Sequence, residues 1–405
     1  MASSHVTCCI VGCGPAGAIL GYLLARAGVD VLVLEKHEDF LRDFRGDTIH
    51  PSTAQLMDEL GLGPEFNALP LRHSDTLSVV TDDGEFTVAD FRRGSGRPLG
   101  FLPQWDFLNF VVEQARRYPD FSLRMRTEVV DLVRQGGRVT GVHVRDQDGT
   151  TSTLTADLVV AADGRDSVIR SQSGLRLVSF GAPMDVLWFR LSRTGSDPRN
   201  AFGRLAPGRL LIMIDRDDYW QVGYIIRKGG LDDLRAKGLA AFRQQIVSLT
   251  GFVGDRANEI VDWDDIALLR VQLHRLRRWW RPGLLCIGDA AHAMSPVGGV
   301  GINLAIQDAV ATARILAGPL RRRRLSSVHL ARVQVRRALP AILTQAVQRV
   351  IQKRVLARVL TGEVGQRAPA GLRLIDRTPA LQAIPAWAIG RGVLPEHAPP
   401  HPKER

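Results

Sequence analysis

The order of apolar and polar positions at the start of the chain predicts alternating strands and helices. The residues from Val6 to Val11 form an apolar run that fits a strand buried on both faces. After a glycine-rich break, Ala16 to Ala27 is rich in helix-forming residues and ends at Gly28, and Asp30 to Leu34 is a second apolar strand. Strand, helix and strand in this order predict a βαβ unit, and therefore a parallel sheet with helices on its faces.

The rest of the chain continues this alternation and adds a second kind of sheet. Between Asp185 and Arg227 apolar and polar residues alternate and aromatic residues are frequent, which indicates an antiparallel sheet with one exposed or ligand-facing side. We therefore predict an α/β protein with an inserted antiparallel sheet and a helical C-terminal region. The other predicted elements are helices over 51–60, 107–117, 301–316 and 340–360, strands over 122–133, 138–145, 158–162 and 284–287, and a hairpin over 77–91.

Composition places the chain among globular proteins. Its 405 residues are 45% hydrophobic and 23% charged, so it is long enough for two or three domains with cores of their own. The formal net charge of +11 comes mostly from arginine. Such an excess is expected of proteins that bind nucleic acid, anionic membranes or acidic ligands, but a coding bias towards arginine produces it as well, and we favour the bias. No nucleic-acid partner is expected.

The cysteines predict free thiols in a reducing compartment. Three of the 4 crowd into the first strand region and none has the CxxC spacing of a zinc or redox motif, so neither a disulfide nor a metal site is expected. The apolar segment from Cys8 to Leu34 is as long as a membrane span, but Gly12, Pro15 and Arg26 interrupt it. It also lacks the basic region and cleavage site of a signal peptide. We therefore expect a cytoplasmic protein.

The glycine-rich break after the first strand has the spacing of a dinucleotide-binding loop. Gly12, Gly14 and Gly17 form the pattern G-x-G-x-x-G between a strand and a helix. In this Rossmann-like arrangement the first glycine allows a tight turn, the second lets the backbone approach a pyrophosphate, and the third lets helix and strand pack closely. Glu35 ends the second strand about twenty residues on, where a carboxylate can bind ribose hydroxyls. Glycine loops also serve packing alone, but strand, helix and acid together favour a dinucleotide.

Two later motifs also follow strands. The first is DLVVAADGRDSVIR, in which a strand is followed by Asp163-Gly164 and then by Ser167 and Arg170. The second is GDAAHAMSPVGGVGIN, in which Asp289 follows a strand and three glycines precede a helix. An Asp-Gly pair is often only a turn, whereas three glycines before a helix destabilise it unless something approaches the backbone closely. Both motifs lie at carboxyl ends of strands, the edge at which open α/β sheets bind ligands.

In their order and spacing, the three motifs resemble those of the class A flavoprotein monooxygenases, which have the para-hydroxybenzoate hydroxylase fold. The resemblance is specific as far as about Arg321 and loose beyond it. It implies FAD as cofactor, NADPH or NADH as a transient reductant, and a substrate domain inserted into an FAD-binding domain. The predicted boundaries are 1–72, 99–180 and 280–320 for the FAD-binding domain, 73–98 and 181–279 for the substrate domain, and 321–405 for a helical C-terminal segment.

The resemblance also implies which residues contact FAD. Asp289 is expected to bind the ribityl chain, and Arg45 and Gln104 to flank the flavin. The alternatives are a surface salt bridge for Arg45 and a loop cap for Gln104. Asp163 is expected to shape the pyrophosphate region and a transient contact with NAD(P)H. The full set of expected cofactor-binding residues is Gly12, Gly14, Pro15, Ala16, Gly17, Glu35, Lys36, Arg45, Gln104, Val130, Asp163, Gly288, Asp289, Pro296, Gly299, Gly301, Ile302 and Asn303.

The glycines of the third motif fit a planar ring that the backbone must approach closely. Gly298, Gly299 and Gly301 carry no side chains that would cover the faces of an isoalloxazine. A helix beginning near Gly301 would direct its N–H groups at the pyrimidine end of the ring, where reduced flavin carries negative charge. Asn303 can bond the carbonyl edge of the same ring.

No residue is assigned a catalytic role from the sequence. The candidates are His50, His292 and Pro296. His292 fits a structural position within its motif better than that of a general base, and Pro296 would help to keep water from the flavin. A cofactor that supplies the electrophile needs placement of the substrate more than it needs a protein nucleophile.

The function implied by the resemblance is the insertion of one oxygen atom from O2 into an electron-rich, aromatic or polyketide-like small molecule through a flavin hydroperoxide. Hydroxylation, epoxidation and Baeyer–Villiger insertion are all compatible with the sequence. Five side chains of the antiparallel sheet are expected either to line the substrate or to form ordinary sheet core. They are Trp188, Arg190, Trp220, Gln221 and Tyr224.

Three other functions share parts of these features. A flavin halogenase needs an active-site lysine, and no lysine lies between Lys36 and Lys228, so halogenation is not expected. An FAD-dependent reductase of an isoprenoid-type substrate stays open. A membrane-surface flavoprotein is suggested by the basic helix near the C-terminus. A helix docked on its own protein with its arginines outward has the same pattern, and we favour that docked arrangement. The apolar residues of this helix at helical spacing are Leu343, Val347, Val350, Ile351 and Val355.

Overall fold

The computed structural model describes residues 5–41, 48–198, 201–363 and 368–400. Its strands, in chain order, are β1 (His5–Val11), β2 (Val31–Leu34), β3 (Thr48–Ile49), β4 (Arg72–Ser74), β5 (Thr76–Thr81), β6 (Gly84–Asp90), β7 (Leu99–Phe101), β8 (Phe121–Arg124), β9 (Glu128–Gln135), β10 (Arg138–Arg145), β11 (Thr151–Ala161), β12 (Leu177–Ser179), β13 (Met184–Ser192), β14 (Phe202–Ala206), β15 (Arg209–Asp215), β16 (Tyr219–Arg227), β17 (Ala267–Leu269), β18 (His274–Leu276), β19 (Trp280–Arg281) and β20 (Leu284–Cys286). Its α-helices are α1 (Pro15–Arg26), α2 (Pro51–Glu59), α3 (Gly63–Asn67), α4 (Phe91–Ser95), α5 (Gln104–Ala115), α6 (Val168–Ser173), α7 (Leu231–Lys237), α8 (Leu239–Thr250), α9 (Asp289–His292), α10 (Val300–Arg321), α11 (Ser327–Ile351), α12 (Ala357–Leu360), α13 (Ala370–Arg377) and α14 (Pro379–Gly390). Short 3-10 turns occupy Gly254–Glu259, Trp263–Asp265 and Val297–Gly299, and a π turn occupies Gln352–Leu356.

The largest sheet contains the predicted βαβ unit at its centre. Its strand order is β19-β20-β11-β1-β2-β8, and β10 and β9 extend it from β11. β1 pairs in parallel with β2 and β11, and β20 pairs in parallel with β11, so these four strands end at one edge. The apolar side chains of β1 join those of α1 and α10 in a single core, which explains why this strand is apolar over most of its length. The α/β fold class and the βαβ unit are confirmed.

The second sheet is the antiparallel one predicted from the alternating pattern. Its strand order is β17-β13-β16-β15-β14-β5-β6, and only the pair β14-β5 is parallel among the described strands. On one face Leu187, Phe189 and Val222 pack against Phe242 and Ile246 of α8. On the other face the side chains meet the C-terminal region and the glycine turn that precedes α10.

The C-terminal region is helical, as expected, but its longest helix begins earlier than predicted. α11 starts at Ser327, and Pro340, which was expected to start a helix, lies inside it. The start signal is Ser326, whose N–H donates to Nδ1 of His329 at 3.2 Å in a capping box. Proline removes one backbone hydrogen bond from a helix interior, and packing against the protein compensates here because Pro340 is buried.

The docked arrangement predicted for this helix is wrong at most of the residues that suggested it. Leu343, Val347, Val350 and Val355 are exposed, and Ile351 is partly buried. The helix does dock, but through another face, and much of that face is polar. The buried residues of α11 are Leu330, Val333, Arg337, Pro340, Ala341, Gln345 and Gln348.

The four cysteines and one long apolar helix lie inside the protein. All of Cys8, Cys9, Cys13 and Cys286 are buried free thiols, as predicted, and burial raises the pKa of Cys9 to about 12. Within the described residues one helical segment, Val297–Arg321, is long and apolar enough to cross a membrane, and 72% of its apolar window is buried in the protein. Such burial is typical of a core helix.

Candidate functional site

The three sequence motifs meet at the carboxyl edge of the largest sheet. β1, β2, β11 and β20 end at this edge and lead into the segments that contain Gly12, Glu35, Asp163 and Gly288. The segments touch one another. A Cβ atom added to Gly12 would lie 2.6 Å from the carbonyl oxygen of Ala162. One added to Gly288 would lie 3.2 Å from the Cβ of Ala16. Parallel pairing of the four strands therefore brings the three motifs together at one edge.

Arginines of the second motif hold the third motif in place. Nη2 of Arg165 donates a hydrogen bond to Oδ2 of Asp289 at 3.3 Å. Nη1 of Arg170 donates to the carbonyl oxygen of Ala290 at 3.2 Å. Arg170 was singled out from the sequence, whereas Arg165, two positions after Asp163 in the same motif, was not.

Asp163 caps the following helix. It accepts hydrogen bonds from Oγ of Ser167 at 2.5 Å and from the N–H of Ile169 at 3.2 Å. Burial raises the pKa of this carboxyl group, and these hydrogen bonds act in the opposite direction. The side chain therefore braces the turn between β11 and α6, and a contact with the pyrophosphate region stays a prediction.

The first glycine motif forms a cradle with room for a pyrophosphate. In the described structure α1 begins at Pro15 with no side-chain cap on its N-terminus, so its first N–H groups and positive dipole end are available to an anion. A Cβ atom on Gly14 would meet nothing within 4 Å. A Cβ atom on Gly17 would lie 1.9 Å from the carbonyl oxygen of Gly12. Gly17 thus permits helix and strand to pack, and Gly14 borders open space.

Glu35 is fixed beside this cradle. Its Oε2 accepts from the N–H of Cys13 at 3.0 Å and its Oε1 accepts from the N–H of His37 at 3.2 Å. A buried carboxylate at the end of β2, next to an anion-binding helix N-terminus, fits the adenosine pyrophosphate of FAD. Of the other residues expected at the cofactor, Lys36 is exposed directly after Glu35, and Val130 is half-buried on β9.

The third motif forms a left-handed turn before α10. Gly298 has φ 78° and Gly299 has φ 62°, values that favour glycine. α10 begins at Val300, next to the predicted start, and the described residues supply no side-chain cap. Gly301 already lies in this helix, where a Cβ atom would make only an ordinary contact with Met294. Two of the three glycines are therefore required by backbone conformation, and the helix N-terminus is again available to a negatively charged group.

The small sheet β3-β7-β4 brings two predicted loops to this glycine turn. β3 pairs antiparallel with β7, and Thr48 faces Phe101, so the chain before β3 and the chain after β7 lie at the same end. Gln104 begins α5 at that end. Thr48 also contacts the glycine turn, because a Cβ atom on Gly299 would lie 2.7 Å from its Oγ1. Arg45, predicted in the loop before β3, lies outside the described residues.

Asn303 is oriented by helix α2. Its Oδ1 accepts hydrogen bonds from Oγ of Ser52 at 3.1 Å and from Oγ1 of Thr53 at 2.8 Å. The amide oxygen is thereby committed to α2, which leaves the Nδ2 group as the donor that could meet a carbonyl of the flavin ring. The sequence did not predict a role for Ser52 and Thr53, which belong to the Pro-Ser-Thr segment at the start of α2.

His292 belongs to a buried polar network. Its Nε2 lies 2.6 Å from Oδ2 of Asp308, which also accepts from the N–H of Gly288 at 3.0 Å. Oδ1 of Asp308 accepts from Nε of Arg337 at 3.0 Å, and the guanidinium of Arg337 lies 3.6 Å from Glu396. These contacts give His292 a structural position behind the motif. Sequence reasoning missed the acids and the arginine, although Asp308 is the one acid within the apolar helix α10.

His50 joins the glycine turn to the C-terminal helix. Its Nδ1 lies 2.6 Å from the carbonyl oxygen of Ile389, and its Nε2 lies 3.1 Å from the carbonyl oxygen of Gly299. Neutral imidazole carries one N–H, so it can donate to one of the two carbonyl groups at a time. Burial lowers the pKa of His50 from 6.5 to about 4, although both carbonyl groups act to raise it. The histidine is thus neutral at pH 7 and bridges two segments of the site.

We expect His50 to make the protein less stable in acid. The pKa is 6.5 in the unfolded chain and about 4 in the folded protein, so the unfolded state binds a proton first as pH falls. This contribution is fully present above pH 6.5 and is lost towards pH 4, with a size of about 3 kcal/mol. In urea titrations at a fixed excess of FAD, wild type should lose about that much stability relative to His50→Gln across this window. The exposed His143→Gln variant is the control, and parallel pH profiles for wild type and His50→Gln would contradict the assignment.

The five side chains expected either to line the substrate or to form sheet core lie on opposite faces of the second sheet. Trp188, Arg190 and Gln221 point to the face that meets the glycine turn. Trp220 and Tyr224 point to the other face, where they pack in the core beneath α8. Of the two alternatives, sheet core is therefore the one that holds for Trp220 and Tyr224, and substrate lining stays a prediction for Trp188, Arg190 and Gln221. Alternation along β16 separates them, because consecutive residues of a strand point to opposite sides.

The site-facing side of this sheet combines cations and aromatic rings next to α5. The guanidinium carbon of Arg190 lies 4.8 Å from the ring centre of Tyr219 and 6.0 Å from that of Trp105. Arg216 donates from Nε and Nη2 to Oε1 of Gln221 at 2.9 and 2.8 Å. Trp105 directly follows Gln104, so this face of the sheet lies beside a residue predicted at the flavin.

Comparison with known proteins decides the family. The family model described as "FAD binding domain" matches residues 5–347. The chain belongs to this family. It is 34% identical to 6-methylpretetramide 4-monooxygenase of Streptomyces rimosus over 94% of this chain and 91% of that protein. We therefore describe it as an FAD-dependent monooxygenase, as the sequence predicted.

Solved structures show the same fold for this flavoprotein. The p-nitrophenol 4-monooxygenase of Pseudomonas putida matches with a TM-score of 0.74 at 20% identity, over 96% of this chain and 100% of that one. The OxyS anhydrotetracycline hydroxylase of Streptomyces rimosus matches with a TM-score of 0.73 at 22% identity, over 95% of this chain and 76% of that one. These similarities confirm the fold of the flavoprotein but do not identify its substrate.

Proposed function

We propose that this flavoprotein is an NAD(P)H-dependent hydroxylase of an electron-rich, polycyclic aromatic polyketide, acting in the cytoplasm. The observation that carries the proposal is its 34% identity, over 94% of its length, to an enzyme named for 6-methylpretetramide. The overall reaction consumes the aromatic C–H compound, O2, NAD(P)H and a proton, and yields the hydroxylated product, water and NAD(P)+.

The residues at the edge of the largest sheet fit the cofactor and are proposed to hold it. The loop at Gly12–Gly17 and the N-terminus of α1 would bind the pyrophosphate, and Glu35 the ribose. Asp289, positioned by Arg165, would bind the ribityl chain. The turn at Gly298–Gly299 and the N-terminus of α10 would receive the ring. Bound FAD supplies the redox chemistry that activates O2, and the protein supplies placement.

The site-facing side of the second sheet is proposed to hold the substrate. Trp188 offers an aromatic wall, and Arg190 lies between Tyr219 and Trp105. A guanidinium near a phenol favours the phenolate, because the positive charge stabilises the ionised form. An ionised phenol is more electron-rich at its ring carbons and therefore reacts more readily with an electrophilic oxygen. This side of the sheet thus suits a substrate that carries an acidic phenol or enol.

The reaction is tested by separating reduction from oxygen transfer. Purified, FAD-loaded protein is mixed with NADPH or NADH without air, alone or with polycyclic phenols, p-nitrophenol or 3-hydroxyphenylpropionate, and flavin bleaching is followed. We expect a polycyclic phenol to accelerate bleaching and, after 18O2 is admitted, to gain one labelled oxygen atom. The two single-ring phenols are the matched controls for substrate size.

Two outcomes would contradict the proposal in different ways. A product that forms without oxygen would identify a reductase, such as one that acts on an isoprenoid-type substrate. Label incorporation into a single-ring phenol in preference to every polycyclic compound would keep the monooxygenase and reject the polyketide class.

A further inference from the structure

Helix α11 is attached to the protein by polar side chains as well as by Leu330, Val333 and Ala341 in the core. Nε2 of Gln345 donates to the carbonyl oxygens of His274 and Ala293 at 2.9 and 3.1 Å. Nε2 of Gln348 donates to those of Ser295 and Val297, both at 2.9 Å. These bonds fix α11 to the segment that leads into the glycine turn. The amide groups of Gln345 and Gln348 therefore point towards the protein, where backbone carbonyl oxygens accept their hydrogen bonds.

The opposite face of α11 faces solvent and is mostly apolar, with the exposed Arg332 among its valines and leucines. At about 3.6 residues per turn, its exposed apolar residues fall within one continuous strip, which we call the outer stripe. From Val328 to Val350 the stripe is about 33 Å long. Val335, at its centre, is 79% exposed. The outer stripe consists of Val328, Val335, Leu339, Ile342, Leu343, Val347 and Val350.

An apolar strip of this length normally marks a surface that another molecule covers. Single exposed valines and leucines are common, but here they recur on one face for six turns of helix while the buried face carries arginine and glutamines. Core packing within this chain does not account for the pattern, because the stripe points away from the core. The occupant must offer apolar contacts along the axis of the helix.

The charged residues of α11 and of the chain on either side of it are all positive, and the exposed Arg332 lies within the outer stripe itself. From Ala309 to Gly362 the sequence contains no aspartate or glutamate. Exposed arginines 321–324 precede the stripe. Arg349, Lys353 and Arg354 are exposed at its other end. An occupant that covers the stripe therefore meets cations at both ends, and the chain as a whole has a formal charge of +11.

This charge distribution disfavours a second copy of the chain as the occupant. Two copies paired through their stripes would bring basic ends together in either orientation, and the helix has no acid to neutralise them. An anionic lipid surface meets both requirements, since it accepts apolar side chains at the acyl boundary and attracts lysine and arginine at the headgroups. We propose that α11 docks this enzyme on an anionic lipid bilayer, with the outer stripe inserted at the interface and the flanking basic residues at the headgroups.

The docking surface is separate from the FAD site, so the proposal does not depend on the substrate. It reverses the arrangement that the sequence favoured, in which the apolar residues of this helix face the protein. The structure attaches α11 through Gln345, Gln348 and Arg337 together with a short apolar set in the core, and this leaves the apolar side chains of the outer stripe for the lipid.

Vesicle sedimentation tests the proposal with the FAD-loaded full chain. Vesicles of phosphatidylcholine alone are compared with vesicles that also contain phosphatidylglycerol. We expect cosedimentation with the anionic vesicles and little with the neutral ones. Raising the salt from about 0.1 M to about 1 M shortens the screening length from about 10 Å to about 3 Å and should release much of the protein.

Two matched valines separate the stripe from exposed apolar surface in general. Val335 is 79% exposed within the stripe, and Val261 is 74% exposed outside it. Val335→Glu should weaken binding to the anionic vesicles at least tenfold, whereas Val261→Glu, which adds the same charge, should change it less than threefold. Lys353→Gln should weaken binding about fivefold, the factor expected for one cation at such a surface. Retained FAD absorbance shows that each variant is folded.

Several outcomes would overturn the proposal. One is failure of the wild-type protein to sediment with anionic vesicles, which would leave another protein as the occupant of the outer stripe. Another is equal binding by Val335→Glu and Val261→Glu. A third comes from sedimentation equilibrium: a wild-type dimer that Val335→Glu dissociates and Val261→Glu does not would make a second copy the occupant.

Discussion

Replacement of Asp308 by alanine is expected to destabilise the flavoprotein by about 3 to 5 kcal/mol. The carboxylate is fully buried and accepts hydrogen bonds from Gly288, His292 and Arg337. Its removal leaves a buried guanidinium without its main counter-charge and the Gly288 N–H without an acceptor. These three neighbours lower the pKa of Asp308 against the effect of burial, so the folded protein favours its ionised form. Urea unfolding at a fixed excess of FAD measures the loss.

A double-mutant cycle distinguishes a coupled network from simple loss of packing. Asp308→Ala combined with Arg337→Met removes both charges, so the double variant should be more stable than Asp308→Ala alone. Glu113→Ala, at an exposed helix position, is the control and should stay within about 0.5 kcal/mol of wild type. Additive losses in the double variant would contradict the network, and a loss below about 1 kcal/mol for Asp308→Ala would contradict its importance.

The second large effect is expected at Gly17. An added Cβ atom would lie 1.9 Å from the carbonyl oxygen of Gly12, so Gly17→Ala must push α1 away from the end of β1. We expect a stability loss of about 1 to 3 kcal/mol or more, since overpacking forces the backbone to move. FAD affinity should fall at least tenfold, because the displaced helix carries the N–H groups of the cradle. Fluorescence titration of the apoprotein with FAD measures the affinity, and urea unfolding measures the stability.

Gly14→Ala is the matched control for Gly17→Ala. The Cβ atom at position 14 would meet no protein atom within 4 Å, and the φ of −73° is one that alanine adopts readily. Stability should therefore stay within about 0.5 kcal/mol of wild type. If a pyrophosphate passes this position, the methyl group should still weaken FAD binding. Unchanged FAD affinity for Gly14→Ala would remove the role proposed for Gly14, and a fully stable Gly17→Ala would contradict the packing described at Gly17.

The parts of the fold that the sequence predicted are those specified by local patterns. The run from Val6 to Leu34 contains a strand, a glycine loop, a helix and a strand whose signals agree, and the structure matches them to within a residue or two. The same holds for the hairpin of β5 and β6, where Asp82-Asp83-Gly84 supplies the turn. The meeting of the three motifs also followed from the sequence, because the carboxyl ends of parallel strands share one edge.

The parts that the sequence did not predict depend on long-range partners. Trp188 and Trp220 look alike in an aromatic stretch, and the register of β13 with β16 places them on opposite faces. The outward face of α11 was misassigned because apolar spacing identifies a face and not its partner, and Gln345 and Gln348 found backbone carbonyl groups to bond. Glu396 reaches the network of Asp308 only through tertiary packing, so no local sequence motif predicts its contact with Arg337.

The arrangement of the sheet edge has a consequence for synthesis of the protein on the ribosome. The glycine loop at Gly12–Gly17 is made early, whereas Asp289 and the glycine turn before α10 are made much later. β1 can pair with its parallel partner β11 only after the long stretch of chain between them has been made. A nascent chain that has only the first motif contains one part of the proposed cofactor site. If Asp289 and the glycine turn bind FAD as proposed, we expect FAD to be retained only after α10 has left the exit tunnel.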